Sequence, residues 1–95
     1  MFVEIAEITV TDPERFEAAV AEAKPYFLRA KGCHGVRLHR VVETPDVYRL
    51  VVKWETVEDH TVTFRNSDDF QEWRRLASPF FAQPPKVTHS RDVLA

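Results

Sequence analysis

The chain has 95 residues and a formal net charge of −2, and 44% of its residues are hydrophobic. This length fits a single domain spanning residues 1–95, and the apolar content is sufficient for a folded core. Two glycines are too few for the glycine-rich phosphate loops of nucleotide-binding folds, and one cysteine excludes an internal disulfide and a four-thiolate zinc site. The near balance of 13 basic and 15 acidic residues gives no general attraction to nucleic acid or to an anionic membrane surface.

The ends of the chain carry no recognisable targeting segment. Glu4 and Glu7 interrupt the first apolar residues, which argues against a secretory signal, and no run of about 18 apolar residues could cross a membrane. A lone Cys33 is typical of a reducing compartment. We therefore expect a cytoplasmic protein with neither a membrane nor a nucleic-acid partner.

Residues 2–10 are predicted to form the first strand. Its apolar residues change parity in the middle of the segment, from Val3 and Ile5 to Ile8 and Val10. This change indicates either a bulge near Ala6 or apolar residues on both faces of the strand.

The first helix is predicted to begin at Asp12 or Thr11, either of which can cap it, with Pro13 in its first turn. Pro25 predicts a kink or a break, and Lys31-Gly32 is typical of a helix end. The apolar residues at helical spacing are Phe16, Ala19, Val20, Ala23 and Phe27.

Two alternating segments then predict a β-hairpin. Residues 35–43 and residues 47–55 each alternate in polarity, and Thr44-Pro45-Asp46 between them is typical of a turn. The second segment has the clearest strand pattern, because four large apolar residues share one face: Tyr48, Leu50, Val52 and Trp54.

The last part of the chain predicts a short helical turn, a second helix and a final strand. Residues 56–59 can cap the turn, which runs toward Phe64, and Asn66 or Ser67 can cap the second helix. Prolines after that helix separate it from the strand at residues 86–95. The helix carries an apolar stripe made of Phe70, Trp73, Leu76 and either Phe80 or Phe81.

The order strand, helix, strand, strand, helix, strand predicts a ferredoxin-like α+β fold, with a four-stranded antiparallel sheet and helices on one face. The second face would be partly apolar. A homodimer that packs sheet against sheet would cover it, because large exposed apolar patches are rare on monomers. The residues that suggest this apolar face are Val41, Val51, Val87 and Val93.

Residues 31–60 resemble the antibiotic biosynthesis monooxygenase (ABM) domain. The stretch Lys31–Leu38, the strand Tyr48–Thr56 and His60 match that family's Gly-Cys turn, hairpin, and Trp-Glu-Ser/Thr strand end followed by a histidine. The likeness in element order and length extends over the whole chain. It implies a dimeric α+β barrel with a pocket in each subunit between the sheet and the helices. Characterised relatives oxygenate aromatic polyketides without metal or flavin, or degrade haem.

The resemblance also implies roles for individual residues. Trp54 matches the family's strand-end tryptophan, spacing assigns the family's arginine to Arg74, and His60 falls where its tyrosine would lie. Leu50 is the nearest apolar residue to the position of the asparagine in the cofactor-free oxygenases. The haem-degrading branch has an asparagine on the first strand, in the region of Ala6.

We therefore expect a cofactor-independent, metal-free monooxygenase that oxidises a small planar aromatic molecule of the phenol, quinol or anthrone type. His60 would be the base and Arg74 would stabilise the developing negative charge. The predicted substrate-binding residues are Trp54, Trp73, Leu50 and Phe80.

Each of these residues also has a purely structural interpretation. Trp54 and Trp73 could be core residues, and His60 could be a partly exposed histidine at a helix start. His39 and His89 lie on strands and could face either the sheet interface or the pocket.

Two other functions remain open from the sequence. The chain could bind or degrade haem, with His34, His60 or His89 as the axial ligand. Alternatively, it could be a non-catalytic dimer that binds a small ligand, an interpretation favoured if Leu50, Trp73 and Phe80 fill the space beside Trp54.

Overall fold

Four strands predicted from the alternating segments pair into one antiparallel sheet in the computed structural model, which describes residues 1–94. The strands are β1 (Phe2–Thr9), β2 (Cys33–Arg40), β3 (Val47–Trp54) and β4 (Lys86–Ser90). The helical elements are α1 (Pro13–Leu28), a π-helical turn (Asp59–Phe64), α2 (Asp68–Ala77) and a 3-10 turn (Ser78–Phe80). The spatial order β2-β3-β1-β4 places β3 and β1 at the centre, which is the predicted ferredoxin-like α+β fold.

Strand β1 has apolar residues on both faces rather than a bulge. Its pairing with β3 runs without interruption from Phe2 opposite Trp54 to Thr9 opposite Val47. The bulge alternative near Ala6 is therefore wrong, and the irregularity of the sheet lies in β2, between Cys33 and Gly35.

Helix α1 begins as its sequence predicts and continues past its internal proline. The Asp12 side chain accepts a hydrogen bond from the backbone N–H of Arg15 at 3.1 Å, and Pro13 occupies the first turn. The helix runs through Pro25 to Leu28 instead of dividing into two helices. Pro25 has no N–H to donate, so the helix loses one hydrogen bond at this position without ending there.

The hydrophobic core lies between one face of the sheet and the two helices. Tyr48, Leu50, Val52 and Trp54 of β3 are all almost completely buried, as their shared parity predicts. Phe27 of α1 meets the Trp73 ring of α2 edge-on, at 5.1 Å between ring centroids. Aromatic packing of this kind joins the helices to each other above the sheet.

The open face of the sheet has a smaller apolar centre than the sequence suggests. Val51 and its partner Ile5 lie on it, whereas Val87 pairs with Ala6 and so lies on the helical side. Val41 and Val93 were placed on this face, but they lie outside the strands, because β2 ends at Arg40 and β4 at Ser90. No helix within residues 1–94 is both long and apolar enough to span a membrane.

Gly32 is required by the close approach of the turn before β2 to the π-helical turn. Its φ is 79°, and a Cβ at this position would overlap the Asp59 carboxylate. The backbone of Gly35 also has a positive φ, of 155°, but a Cβ there would meet no atom within 4 Å.

We predict that Gly32→Ala lowers the free energy of unfolding by about 1–3 kcal/mol more than Gly35→Ala does, because only Gly32→Ala adds a steric overlap to the backbone strain. Urea unfolding followed by tryptophan fluorescence measures both variants. Equal losses of stability would show that the contact with Asp59 is not limiting.

Candidate active site

A cavity of about 750 Å³ lies between the sheet and helix α2. Apolar and aromatic side chains supply most of its walls, from β1, β3, α2 and the segment that follows α2: Ala6, Ile8, Leu50, Phe70, Trp73 and Phe81. Four ionisable side chains also line it: Glu4, His60, Arg65 and Arg74. An apolar cavity with a few converging polar groups is the usual form of a small-molecule site.

Glu4 is a carboxyl group held inside the protein by the alternation of β1. Its position shares the parity of Ala6 and Ile8, so its side chain points toward the helices and is only 4% exposed. Burial raises the pKa of Glu4 from 4.5 to about 7, although the hydrogen bond from Trp54 and the charge of Arg65 act in the opposite direction. Glu4 therefore titrates near neutral pH.

His60 contacts Glu4 from the π-helical turn. Its Nε2 lies 3.3 Å from Glu4 Oε1, and its ring stacks on Trp54 with 5.4 Å between the ring centroids. Burial, and then the charges of His89 and Arg65, lower the pKa of His60 from 6.5 to about 4. The imidazole is consequently neutral at physiological pH.

Hydrogen bonds and the His60–Glu4 contact connect these groups into a chain that ends on Glu4. Trp54 Nε1–H donates to Glu4 Oε1 at 2.9 Å, and the nitrogens His60 Nδ1 and His89 Nε2 are 2.8 Å apart. A neutral imidazole carries a single N–H, so His60 can donate at only one of these two contacts. The Trp54 hydrogen bond and the His60 contact both involve Oε1, and within residues 1–94 the other carboxyl oxygen of Glu4 has no such partner and remains available to a ligand.

Arg65 and Arg74 add positive charge to the cavity. Arg65 follows the π-helical turn, and Arg74 lies in the last turn of α2. Within residues 1–94 neither guanidinium forms an ion pair. The charge of Arg65 lowers the pKa of both Glu4 and His60, so Arg65 acts electrostatically on both of these groups.

The structure brings together most of the site residues expected from the sequence. His60, Arg74, Trp73 and Leu50 line the cavity. The cavity does not extend to Trp54, whose ring packs against His60 and Phe64.

Two expected substrate-binding residues lie outside the lining. Trp54 is completely buried and stacks on His60, so its ring is not available to a ligand. Phe80 sits in the 3-10 turn after α2, and its neighbour Phe81 lines the cavity instead. The change from α-helical to 3-10 geometry alters which face of the chain points inward.

The sequence interpretation did not assign a role to Glu4, and it named His89 only as a candidate haem ligand. The available signal was an acidic residue at a strand position whose same-parity neighbours, Ala6 and Ile8, are apolar. His89 lies opposite Glu4 in the pairing of β4 with β1, so it faces the helical side of the sheet.

The histidines proposed as haem ligands are engaged within the protein. The Nε2 atom of each one contacts another side chain: His34 contacts Glu55, His60 contacts Glu4, and His89 contacts His60. Both ring nitrogens of His60 are engaged, whereas His34 and His89 each have one ring nitrogen in such a contact. Within residues 1–94 no group of three or more His, Cys, Asp or Glu side chains could hold a metal ion.

Comparisons with known proteins agree on one family. The family model for Antibiotic biosynthesis monooxygenase matches residues 1–76. The uncharacterized protein YczJ of Bacillus subtilis (strain 168) is 40% identical over 80 residues, which is 84% of each chain.

Solved structures give the same result. A crystal structure from Bordetella bronchiseptica, of a protein described as a candidate antibiotic biosynthesis monooxygenase, is 55% identical with a TM-score of 0.95, and the match covers 97% of this chain and 96% of that one. A protein from Nitrosomonas europaea with a similar description shares the fold at 19% identity, with a TM-score of 0.83 and coverage of 98% and 99%.

We predict that Glu4→Gln and His60→Gln give opposite slopes of stability against pH. The raised pKa of Glu4 makes the native state less stable as pH rises from 4.5 to about 7, whereas the lowered pKa of His60 makes it less stable as pH falls from 6.5 to about 4. In the unmodified protein the two effects largely cancel between these values. Urea unfolding at a series of pH values measures the slopes.

Acidification across this range should destabilise Glu4→Gln by about 2 kcal/mol and stabilise His60→Gln by a similar amount, relative to the unmodified protein. If both variants kept the slope of the unmodified protein, the buried pair would not be titrating as the structure indicates.

Proposed function

The chain belongs to the antibiotic biosynthesis monooxygenase family, and we propose that it is a cofactor-independent monooxygenase that oxidises a small planar aromatic molecule of the phenol, quinol or anthrone type. The observation that carries this proposal is the buried Glu4 carboxyl in an aromatic-walled cavity of about 750 Å³. A cavity with these walls suits a planar ring, and its one carboxyl can receive a proton from that ring.

Glu4 is a better candidate for the base than His60, to which sequence reasoning assigns that role. A general base works best when its pKa lies near the working pH, and the pKa of Glu4 is about 7 while that of His60 is about 4. His60 then acts as a positioning residue. It holds Glu4 Oε1 together with Trp54, which leaves the second carboxyl oxygen for the substrate.

The proposed reaction needs only the substrate, dioxygen and a base. For an anthrone, Glu4 removes a proton from the ring CH₂, and the resulting carbanion forms a C–O bond with dioxygen. Protonated Glu4 returns its proton to the peroxide anion. Loss of the second C–H proton, together with cleavage of the O–O bond, leaves one oxygen in a carbonyl group and releases the other as water. The substrate supplies all four electrons that reduce dioxygen.

The remaining side chains favour this sequence of steps by charge and by exclusion of water. Arg74 can stabilise negative charge on the deprotonated ring and on the peroxide oxygen. The Ile8, Leu50 and Phe81 side chains limit the access of water to the carbanion, which water would otherwise protonate.

We predict that Glu4→Gln lowers kcat/KM by about 10²–10⁴-fold with anthrone or hydroquinone as substrate, because the amide cannot accept the proton. Oxygen uptake by metal-free protein measures the rate. In the unmodified protein, kcat/KM should rise with pH and level off above about pH 7, as Glu4 loses its proton.

Glu7→Gln is the matched control, because Glu7 lies on the same strand but is exposed on the opposite face, 3.7 Å from Arg49. It should keep the unmodified rate. No turnover above the uncatalysed rate across a broad panel of phenols, quinols and anthrones would overturn the proposed activity.

We also propose that the working unit is a homodimer formed through the open face of the sheet. Val3, Ile5 and Val51 form the apolar centre of that face and are only partly buried in the single chain. A second copy packed on this centre would remove it from water, in agreement with the dimeric barrel that the family resemblance implies.

We predict that Val51→Glu converts the dimer to a monomer, because it places a charge at the centre of the contact. Val42→Glu makes the same change at a valine that is 85% exposed outside the strands, and it should leave the dimer intact. Size-exclusion chromatography with light scattering gives the mass of each variant. A Val51→Glu protein with the mass of the unmodified protein would exclude this face as the interface.

A further inference from the structure

We infer that the substrate carries an anionic substituent, of the carboxylate type, that binds to Arg65 and Arg74 while the acidic hydrogen of the ring faces Glu4. This inference rests on the proposed function, because it assigns a substrate class to the same cavity. Its basis is the distribution of charge among the described side chains.

The two arginines of the cavity differ from most others in the chain. Five arginines form ion pairs within the protein: Arg15, Arg29, Arg40, Arg49 and Arg75. Arg65 and Arg74 form none within residues 1–94, and both line the cavity. Two guanidinium groups without acidic partners, on the wall of one cavity, form a natural site for an anion.

The three acidic residues of α2 do not neutralise these arginines: within residues 1–94 Asp68 forms no ion pair with either of them, and the other two have different partners. Asp69 accepts two hydrogen bonds from Arg29, at 2.7 and 2.6 Å. Glu72 pairs with Arg75 at 2.7 Å. Both carboxylates are therefore already paired with arginines outside the cavity.

The charge of the site during the proposed reaction leads to the same conclusion. When Glu4 has taken the proton, it is neutral, His60 is neutral, and the deprotonated ring carries one negative charge. Arg65 and Arg74 together carry two positive charges. The site therefore keeps a net positive charge, which a second negative group on the substrate would balance. Both arginines are exposed, so this attraction is modest.

The positions of the arginines suggest how such a molecule would lie. Arg65 and Arg74 flank, in sequence, the aromatic residues Phe70 and Trp73, and all four side chains line the cavity. A planar ring packed against Phe70 and Trp73 would hold an acidic substituent within reach of a guanidinium group. Guanidinium groups bind carboxylates through two parallel hydrogen bonds. Such a contact would fix the orientation of the ring and add to its affinity.

The test compares two probes of nearly the same shape, 6-hydroxy-2-naphthoate and its neutral analogue 6-hydroxy-2-naphthamide, by isothermal titration calorimetry. We expect the carboxylate to bind about tenfold more tightly than the amide, as expected for contacts with two partly exposed charges. Arg65→Gln and Arg74→Gln should each reduce this preference while leaving the affinity for the amide unchanged. Arg91→Gln, which removes an arginine outside the cavity lining, is the matched control and should keep the full preference.

Salt gives a second measurement that needs no variant. Raising the ionic strength from about 0.05 to about 0.5 M should weaken binding of the carboxylate and leave binding of the amide unchanged. Equal affinity for the two probes at low salt would overturn the anionic substrate but not the proposed oxygenase, since an aromatic ring would still bind. Binding of neither probe would overturn this inference and would also count against the cavity as an aromatic site.

Discussion

The arrangement of the site depends on one costly feature, a carboxyl group buried on the inner face of the central strand β1. A carboxyl group in this position needs polar partners, and it has a hydrogen bond from Trp54 and a 3.3 Å contact with His60, both at the same oxygen. Three parts of the chain therefore help to stabilise this one carboxyl group: the strand-end tryptophan, the π-helical turn and the final strand. Trp54 stacks on His60, and His60 in turn contacts His89 of β4.

Much of the fold follows from the sequence, because its strongest patterns reflect burial on a single face. The alternation of Tyr48, Leu50, Val52 and Trp54 identifies β3, and Asp12 with Pro13 identifies the start of α1. Ser67, one of the two expected caps, accepts a hydrogen bond from the Phe70 N–H at 3.1 Å and begins α2. Features of this kind are local, so neighbouring residues are sufficient to predict them.

The site was less predictable, since its geometry depends on residues far apart in the chain. Glu4 and Trp54 are separated by 50 positions, and Glu4 and His89 by 85. Because β1 has apolar residues on both faces, its sequence pattern did not indicate that Glu4 points inward. Trp54 illustrates the opposite error: its family position suggested a contact with substrate, whereas complete burial gives it a supporting role behind His60.

The number of residues in the π-helical turn directly affects the geometry of the site. In this turn the Arg65 N–H donates to the His60 carbonyl, five residues earlier, at 3.1 Å. Such a turn holds one residue more than an α-helical turn closed in the usual way. Loss of a single residue here would rotate the two ends of the turn relative to each other by about 100°. His60 and Arg65 would then no longer point in the directions that they have now. Insertions and deletions in this segment, more than substitutions on its surface, are therefore the changes by which relatives could gain or lose the site while keeping the same fold.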